Sequence, residues 1–307
     1  MRKRGSPTVT SEAPAGLAAV ALAAGLWALG ATVASDLFAS GVSPFELAEA
    51  RAIVAMIGLA LLPGSWAARR APIAPTRTLA FGLSLALVNL TYYFAIDRLA
   101  VAVAIVLEYT APVLVIAWAA LVARRPPSRE VVVALVAAVA GVILVSGLLA
   151  GGVGTVDGLG IAMGLAAAVF FSIYTVLSED TGAAFGPLGA MFRGFAIASA
   201  FWILFQIPQG WPSTLFESDH IPKVLFVGLG GTLLPFLLYV WGIGRVRAER
   251  AAIAATLEPP IGGVIAWVWL GQTLTVGQIA GGFLVIGAIL LLNKRPHLDP
   301  SPFAPEP

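Results

Sequence analysis

Apolar residues in this chain gather into successive runs of about 17 to 22 positions with few charges inside them, the length a helix needs to cross roughly 30 Å of hydrocarbon. No water-soluble fold can hide that many such runs. Charged residues make up only 11% of the chain and hydrophobic ones 59%, whereas a soluble domain carries about 25% charged residues. The bilayer is therefore the solvent. Within it a span must satisfy its own backbone, so the fold class is all-α integral membrane.

Windows of hydropathy bounded by turn residues predict ten transmembrane helices, at 16–38, 45–62, 78–96, 101–122, 131–149, 159–177, 188–207, 223–243, 251–270 and 276–292. Breaks such as Gly41-Val42-Ser43-Pro44, Arg124-Arg125-Pro126-Pro127 and Gly151-Gly152-Val153-Gly154 neither continue a helix nor tolerate lipid. The cations fall almost wholly on one side: Arg2, Lys3, Arg4, then Arg69, Arg70, Arg77, then Arg124, Arg125, Arg129, then Arg245, Arg247, Arg250, then Lys294 and Arg295. The other side holds Arg98 and Lys223, while Arg51 and Arg193 fall inside spans. Lys and Arg are retained in the cytoplasm, so both termini are expected there, in a bacterial cytoplasmic (inner) membrane.

A shift of 147 residues places Tyr92 on Tyr239, Arg98 on Arg245 and Pro112 on Pro259; a slightly smaller shift places Trp27 on Phe170, Pro44 on Pro187 and Arg51 near Arg193. The chain thus reads as a tail at 1–14, a five-helix repeat at 15–150, a second at 157–293 and a tail at 294–307. An odd number of helices per repeat turns the second half upside down. Inverted repeats around a central cavity are a recurrent plan of secondary transporters.

Other classes lack their chemistry. The chain has no cysteine, and its two histidines, His220 and His297, lie in a loop and a tail, so no metal site, thiolate nucleophile or other cofactor site is expected. No paired Asp motif or embedded His supplies hydrolytic groups. No GxxxxGK[ST] loop signals direct ATP drive, so no ATPase subunit is implied. The Lys and Arg sit in short loops without interleaved aromatics, which argues against nucleic acid. The expected partners are a small-molecule substrate and the lipid bilayer.

The segments AGLWALG at 24–30, YYFAIDRLAVAVAIVLEYTAPVL at 92–114 and LYVWGIGRVRAERAAIAATLEPPIGGVIAWVWLGQTLT at 238–275 resemble the drug/metabolite transporter superfamily, in its EamA-type ten-helix members. The resemblance runs from about Leu17 to Leu292. The acid customary after the Gly of the LG turn is Gln272 here, with Arg125 at its first-half counterpart. The pattern looks most like the YddG-type exporters of aromatic amino acids. It implies export of amino acids, aromatic and other neutral ones, by alternating access around a central cavity. The alternative within transport is export of aromatic or quaternary cations and other drug-like metabolites.

Polar groups inside spans are costly and usually face the bundle interior. Asn89, Tyr92 and Tyr93 lie at i, i+3 and i+4, on one helix face that also carries Leu85 and Ile96, and would offer a cavity an amide and two phenols; as the alternative, the tyrosines anchor at the headgroup belt. Phe236 and Tyr239 occupy the matching stretch of the second half. Glu108, Tyr109 and Glu258 lie just before prolines that free carbonyls, and can meet those groups or a substrate ammonium; paired or protonated carboxylates are the bland reading. Trp27, Phe170 and Tyr174 line the cavity or serve helix packing. Pro112, Pro235 and Pro259 are the hinge candidates. Arg51 can take a substrate carboxylate, but nearby Glu46 and Glu49 suggest a structural ion pair. Asp36 and Glu179 read as solvated helix ends, and Trp118, Trp267 and Trp269 as lipid-facing or packing residues.

Overall fold

A computed structural model describes residues 13–151, 157–210, 212–271 and 273–294. The expected tails, the Gly152–Gly154 turn and Gln272 therefore lie outside the described residues, apart from residues 13, 14 and 294. The described chain is helical: α1 (Ala13–Ala39), α2 (Pro44–Ala60), α3 (Pro75–Arg98), α4 (Val101–Glu108), α5 (Ala111–Leu121), α6 (Arg129–Val145), the short α7 (Leu148–Gly151), α8 (Gly158–Gln206), α9 (Ile221–Gly228), α10 (Leu234–Ala255), α11 (Glu258–Leu270) and α12 (Val276–Lys294). A π-helical turn, Leu229–Leu233, joins α9 to α10. Among the described residues six stretches are individually long and apolar enough to cross a membrane: Ala13–Ala39, Pro75–Arg98, Val101–Leu121, Gly158–Gln209, Ile221–Ala255 and Val276–Asn293. These stretches and α11 carry large exposed apolar side chains, among them Trp118, Trp267, Trp269 and Phe283, which in a bilayer meet lipid tails.

Interruptions fall where the sequence leaves backbone groups unpaired. Pro112 cannot donate to the Glu108 carbonyl and its ring clashes with it. Accordingly α4 ends at Glu108, and α5 starts at Ala111. Pro259 does the same to Ala255, where α10 ends before α11 begins at Glu258. Pro235 stands four residues after Gly231, and the π-helical turn absorbs that conflict. Each expected hinge proline thus sits one or two residues past an irregularity. The breaks recur at the 147-residue shift, which carries Glu108 to Ala255, Ala111 to Glu258, Arg129 to Val276 and the helix-opening Pro75 to Pro222.

Two helix boundaries differ from the windows. The spans expected at 159–177 and 188–207 run into each other as α8, interrupted at Gly186 (φ 71°, ψ 166°) just before Pro187. α10 is broken at Arg247, with φ 69° and ψ 163°, a region almost reserved for glycine. Helices cross closely where glycines meet. A Cβ on Gly30 of α1 would lie 2.8 Å from the Gly231 Cα, and one on Gly141 of α6 would lie 2.7 Å from the Gly281 carbonyl oxygen in α12, the small-residue packing that lipid favours because hydrophobicity gives helices no drive to associate there.

Candidate functional site

Two aromatic clusters bracket the middle of the bundle. Toward the basic end, Trp27 of α1 meets Phe236 edge-on (centroids 5.1 Å apart) and Tyr239 (5.3 Å) of α10. Tyr174 of α8 stacks on Tyr239 (5.9 Å) and on Phe81 of α3 (5.4 Å), and Phe171 and Phe195 close the group. Tyr174 and Tyr239 are wholly buried, and the Tyr239 hydroxyl is 3.1 Å from that of Thr175. Toward the other end, Phe45 of α2 gathers Tyr93, Phe94, Trp202 and Phe205. Along α3 Phe81, Asn89 and Tyr93 belong to the first cluster, the gap and the second, and at 1.5 Å per residue the gap centre lies about 12 Å beyond Phe81.

The gap is polar. Arg51 of α2 donates from Nε to the Thr232 hydroxyl (2.9 Å) and from Nη1 to Asn89 Oδ1 (3.4 Å). Thr232 sits in the π-helical turn and donates to the Val227 carbonyl at 2.7 Å, and the Asn89 amide donates to the Leu85 carbonyl at 2.9 Å. Each neutral partner is thereby oriented so that its oxygen lone pairs face the guanidinium. A small cavity adjoins them, walled by Ala48, Ala52, Ala198, Phe195, Trp202 and Phe236. On the adjoining side the Tyr109 hydroxyl donates to Glu258 Oε2 at 2.7 Å, joining the break after α4 to the first turn of α11. Glu108 and Glu258 interact electrostatically with each other and with Arg51, and Tyr92 lies within range of both carboxylates. Glu108, Tyr109 and Glu258 are enclosed by protein yet keep some accessible surface, as groups lining an interior cleft do.

The expected residues therefore divide. Asn89 and Phe236 line the central cavity, while Tyr92, Glu108, Tyr109 and Glu258 form the acidic part of the polar layer. Trp27, Tyr174 and Tyr239 pack into the ring cluster beneath it. Tyr93, only 8% exposed, is held edge-on by Phe38 and Phe45 and serves the second cluster. Phe170 is half-buried, and it is its neighbour Phe171 that touches Tyr174 and Tyr239.

Two expectations about charges need correcting. Arg51 does not bond Glu46, which closes the capping box of α2 by accepting the Ser43 N–H and also accepts from Thr214. Glu179 is not a solvated helix end: at 8% exposure it accepts the Ala248 N–H (2.8 Å) and pairs with Arg125 (3.2 Å). Asp36 is exposed, as expected, and pairs with Lys223. Arg193 serves structure, donating to the Ser65, Ala67 and Gly189 carbonyls. Thr232 was missed in the sequence; its signal is Gly230-Gly231-Thr232 ahead of Pro235, small residues where a helix must deform.

A profile of the EamA-like transporter family matches residues 14–147 and, separately, 158–294. The chain belongs to that family. Similar proteins include an uncharacterised transporter of Archaeoglobus fulgidus, 29% identical over 227 residues (71% of this chain, 76% of the other). The threonine/homoserine exporter RhtA of Escherichia coli strain K12 is 29% identical over 261 residues, 85% of this chain and 84% of that one. A solved crystal structure at 20% identity superposes with a TM-score of 0.74, covering 91% of this chain and 96% of the other, and so shares the fold. Membership makes this a multi-pass membrane transporter.

Proposed function

We propose that this EamA-family protein is a secondary transporter that exports neutral amino acids by alternating access, built as ten transmembrane helices in two inverted repeats, residues 15–150 and 157–293. The repeat reading is supported by helix breaks that recur at the 147-residue shift and by the family profile matching each half in turn. The observation that carries the substrate reading is Arg51, whose hydrogen bonds go to a hydroxyl and an amide while two carboxylates, Glu108 and Glu258, stand within electrostatic range. Such a layer is positive at one side and negative at the other, which suits a zwitterion: carboxylate to the guanidinium fork, ammonium to the acidic pair. A lone organic cation would meet Arg51 as a like charge, which weighs against the cation alternative. The likeness to an exporter of threonine and homoserine supports an amino acid. The aromatic rings here are packed on one another, those of the cavity wall, Phe195, Trp202 and Phe236, included, so small hydroxylated amino acids fit the reading better than aromatic ones.

The test is flux of labelled threonine, phenylalanine and a quaternary ammonium cation in liposomes containing the purified protein, with and without a pH gradient. Threonine flux above empty liposomes, stronger than phenylalanine flux, is expected. Preference for phenylalanine would move the substrate to the aromatic class, and movement of the cation alone would sink the zwitterion reading.

A further inference from the structure

The central cavity takes its wall from single stripes of the helices around it. α2 presents Ala48, Arg51 and Ala52, at i, i+3 and i+4, and α8 presents Phe195, Ala198 and Trp202, at i, i+3 and i+7. Arg51, with its partners Thr232 and Asn89, makes one polar edge; alanine methyls and rings supply most of the rest. The rings close the cavity from two directions. Phe195 and Phe236 lean on each other edge-on, 5.6 Å apart, in the cluster toward the basic end, whereas Trp202 belongs to the cluster toward the other end. Phe195 and Trp202 stand about 10 Å apart in rise along α8, and Ala198 lies between them on the same face. None of these rings is free to swing away. Trp202 is 1% exposed and packed on Phe45 (6.4 Å), Phe201 (5.6 Å) and Phe205 (5.4 Å), and Phe236 is held by Trp27 at 5.1 Å. The room that remains stands against Ala48, Ala52 and Ala198, each at most 4% exposed.

We propose that Trp202 is the specificity-determining residue that limits the size of the transported side chain, with Ala198 beside it keeping the space that a small side chain fills. The proposal rests on the amino-acid reading above. An amino acid whose carboxylate meets the Arg51 fork carries its side chain one carbon away, so that side chain falls within the same small cavity, against the alanines and rings. A hydroxymethyl or hydroxyethyl group adds few atoms there. A phenyl ring has to displace one of the wedged aromatic side chains, and a close-packed interior resists such a change of volume. Trp202 is the ring that decides, because it is the largest of the three in the wall and stands apart from the braced Phe195–Phe236 pair. Shortening it opens the cavity on one side and leaves that pair in place.

The experiment measures flux of labelled phenylalanine, threonine and alanine in liposomes containing the full chain or its variants Trp202→Leu and Ala198→Val, with Tm in detergent to show that each is folded. In Trp202→Leu the ratio of phenylalanine to threonine flux is expected to rise about tenfold, the discrimination that a methylene group or two gives in an apolar pocket. Ala198→Val adds two methyl groups to the same space and should lower threonine flux about tenfold relative to alanine flux. If Trp202 served packing alone, its shortening would change the three fluxes together. Ratios unchanged in both variants would therefore overturn the proposal, as would a parent protein that already moves phenylalanine as fast as threonine. Should Trp202→Leu not fold, the threonine-to-alanine ratio of Ala198→Val decides by itself. A parent protein that carries none of the three overturns the amino-acid reading and the filter with it; one that carries threonine, with ratios unmoved by either substitution, overturns the filter alone.

Discussion

Arg51 rests on hydrogen bonds to Thr232 and Asn89, so its replacement separates charge from shape. Arg51→Gln should lower apparent affinity for threonine about 10- to 100-fold, the worth of a charge-assisted hydrogen bond, while leaving the melting temperature close to that of the parent. Arg51→Lys should not restore it, because a point-charge ammonium lacks the fork that reaches both oxygens of a carboxylate; full activity in the Lys variant, measured by liposome flux, would mean that this group supplies only charge. Tyr109→Phe deletes the hydroxyl held by Glu258 and should reduce flux without unfolding. The roles of these residues were partly legible. Asn89, Glu108 and Glu258 stand out as polar groups in apolar runs, and Ser43-Pro44-Phe45-Glu46 spells the capping box that occupies Glu46, which already argues against a pair with Arg51. The true partner, Thr232, lies 181 positions away, and no local pattern connects the two. Glu179 escaped for the same reason: a carboxylate near a helix end looks solvated unless the folded chain is seen to bring Arg125 and the Ala248 N–H to it.

Elements break for two distinct reasons, and only one is written locally. The interruptions at Tyr109–Thr110, at Leu229–Leu233 and at Gly186 are each followed by a proline within six residues, so a sequence announces them. Arg247 has neither Gly nor Pro beside it, and its φ of 69° is held by the tertiary bond from the Ala248 N–H to Glu179. The two breaks therefore make opposite predictions. Gly186→Ala forces a Cβ into a backbone region that glycine alone enjoys, 3.3 Å from the Arg70 guanidinium, and should destabilise by about 1–3 kcal/mol. Arg247→Gly relaxes the same conformation and should raise the melting temperature. Glu179→Ala leaves the Ala248 N–H buried without its acceptor and should cost about 1–3 kcal/mol. Thermal unfolding in detergent, with far-UV circular dichroism, reads all three, and a neutral Glu179→Ala would show that the break holds itself.

Across the whole molecule the long-range ion pairs among the described residues share one property: each joins residues 13–151 to residues 157–294. Arg77 pairs with Asp180 and Arg125 with Glu179 at the basic end; Asp36 pairs with Lys223 and Arg98 with Asp157 at the other. The two halves are thus tied to each other at both ends. Alternating access requires that one end part while the other stays joined. The three pairs with both partners at the surface, Arg77–Asp180, Arg98–Asp157 and Asp36–Lys223, are of the exposed kind that contributes little to stability, and on the proposed mechanism they are weak enough to open in turn. A chain that lacks cysteine allows a direct test, because paired cysteines can be introduced without background. Arg77→Cys/Asp180→Cys and Asp36→Cys/Lys223→Cys place one thiol on each half at opposite ends, and a short reducible bifunctional thiol reagent should join either pair. Joining either end alone is expected to stop threonine flux in liposomes, and reduction to restore it. Flux that persists with the basic end joined would mean that substrate passes without the halves separating there, and the protein would then work by a gate smaller than the repeat.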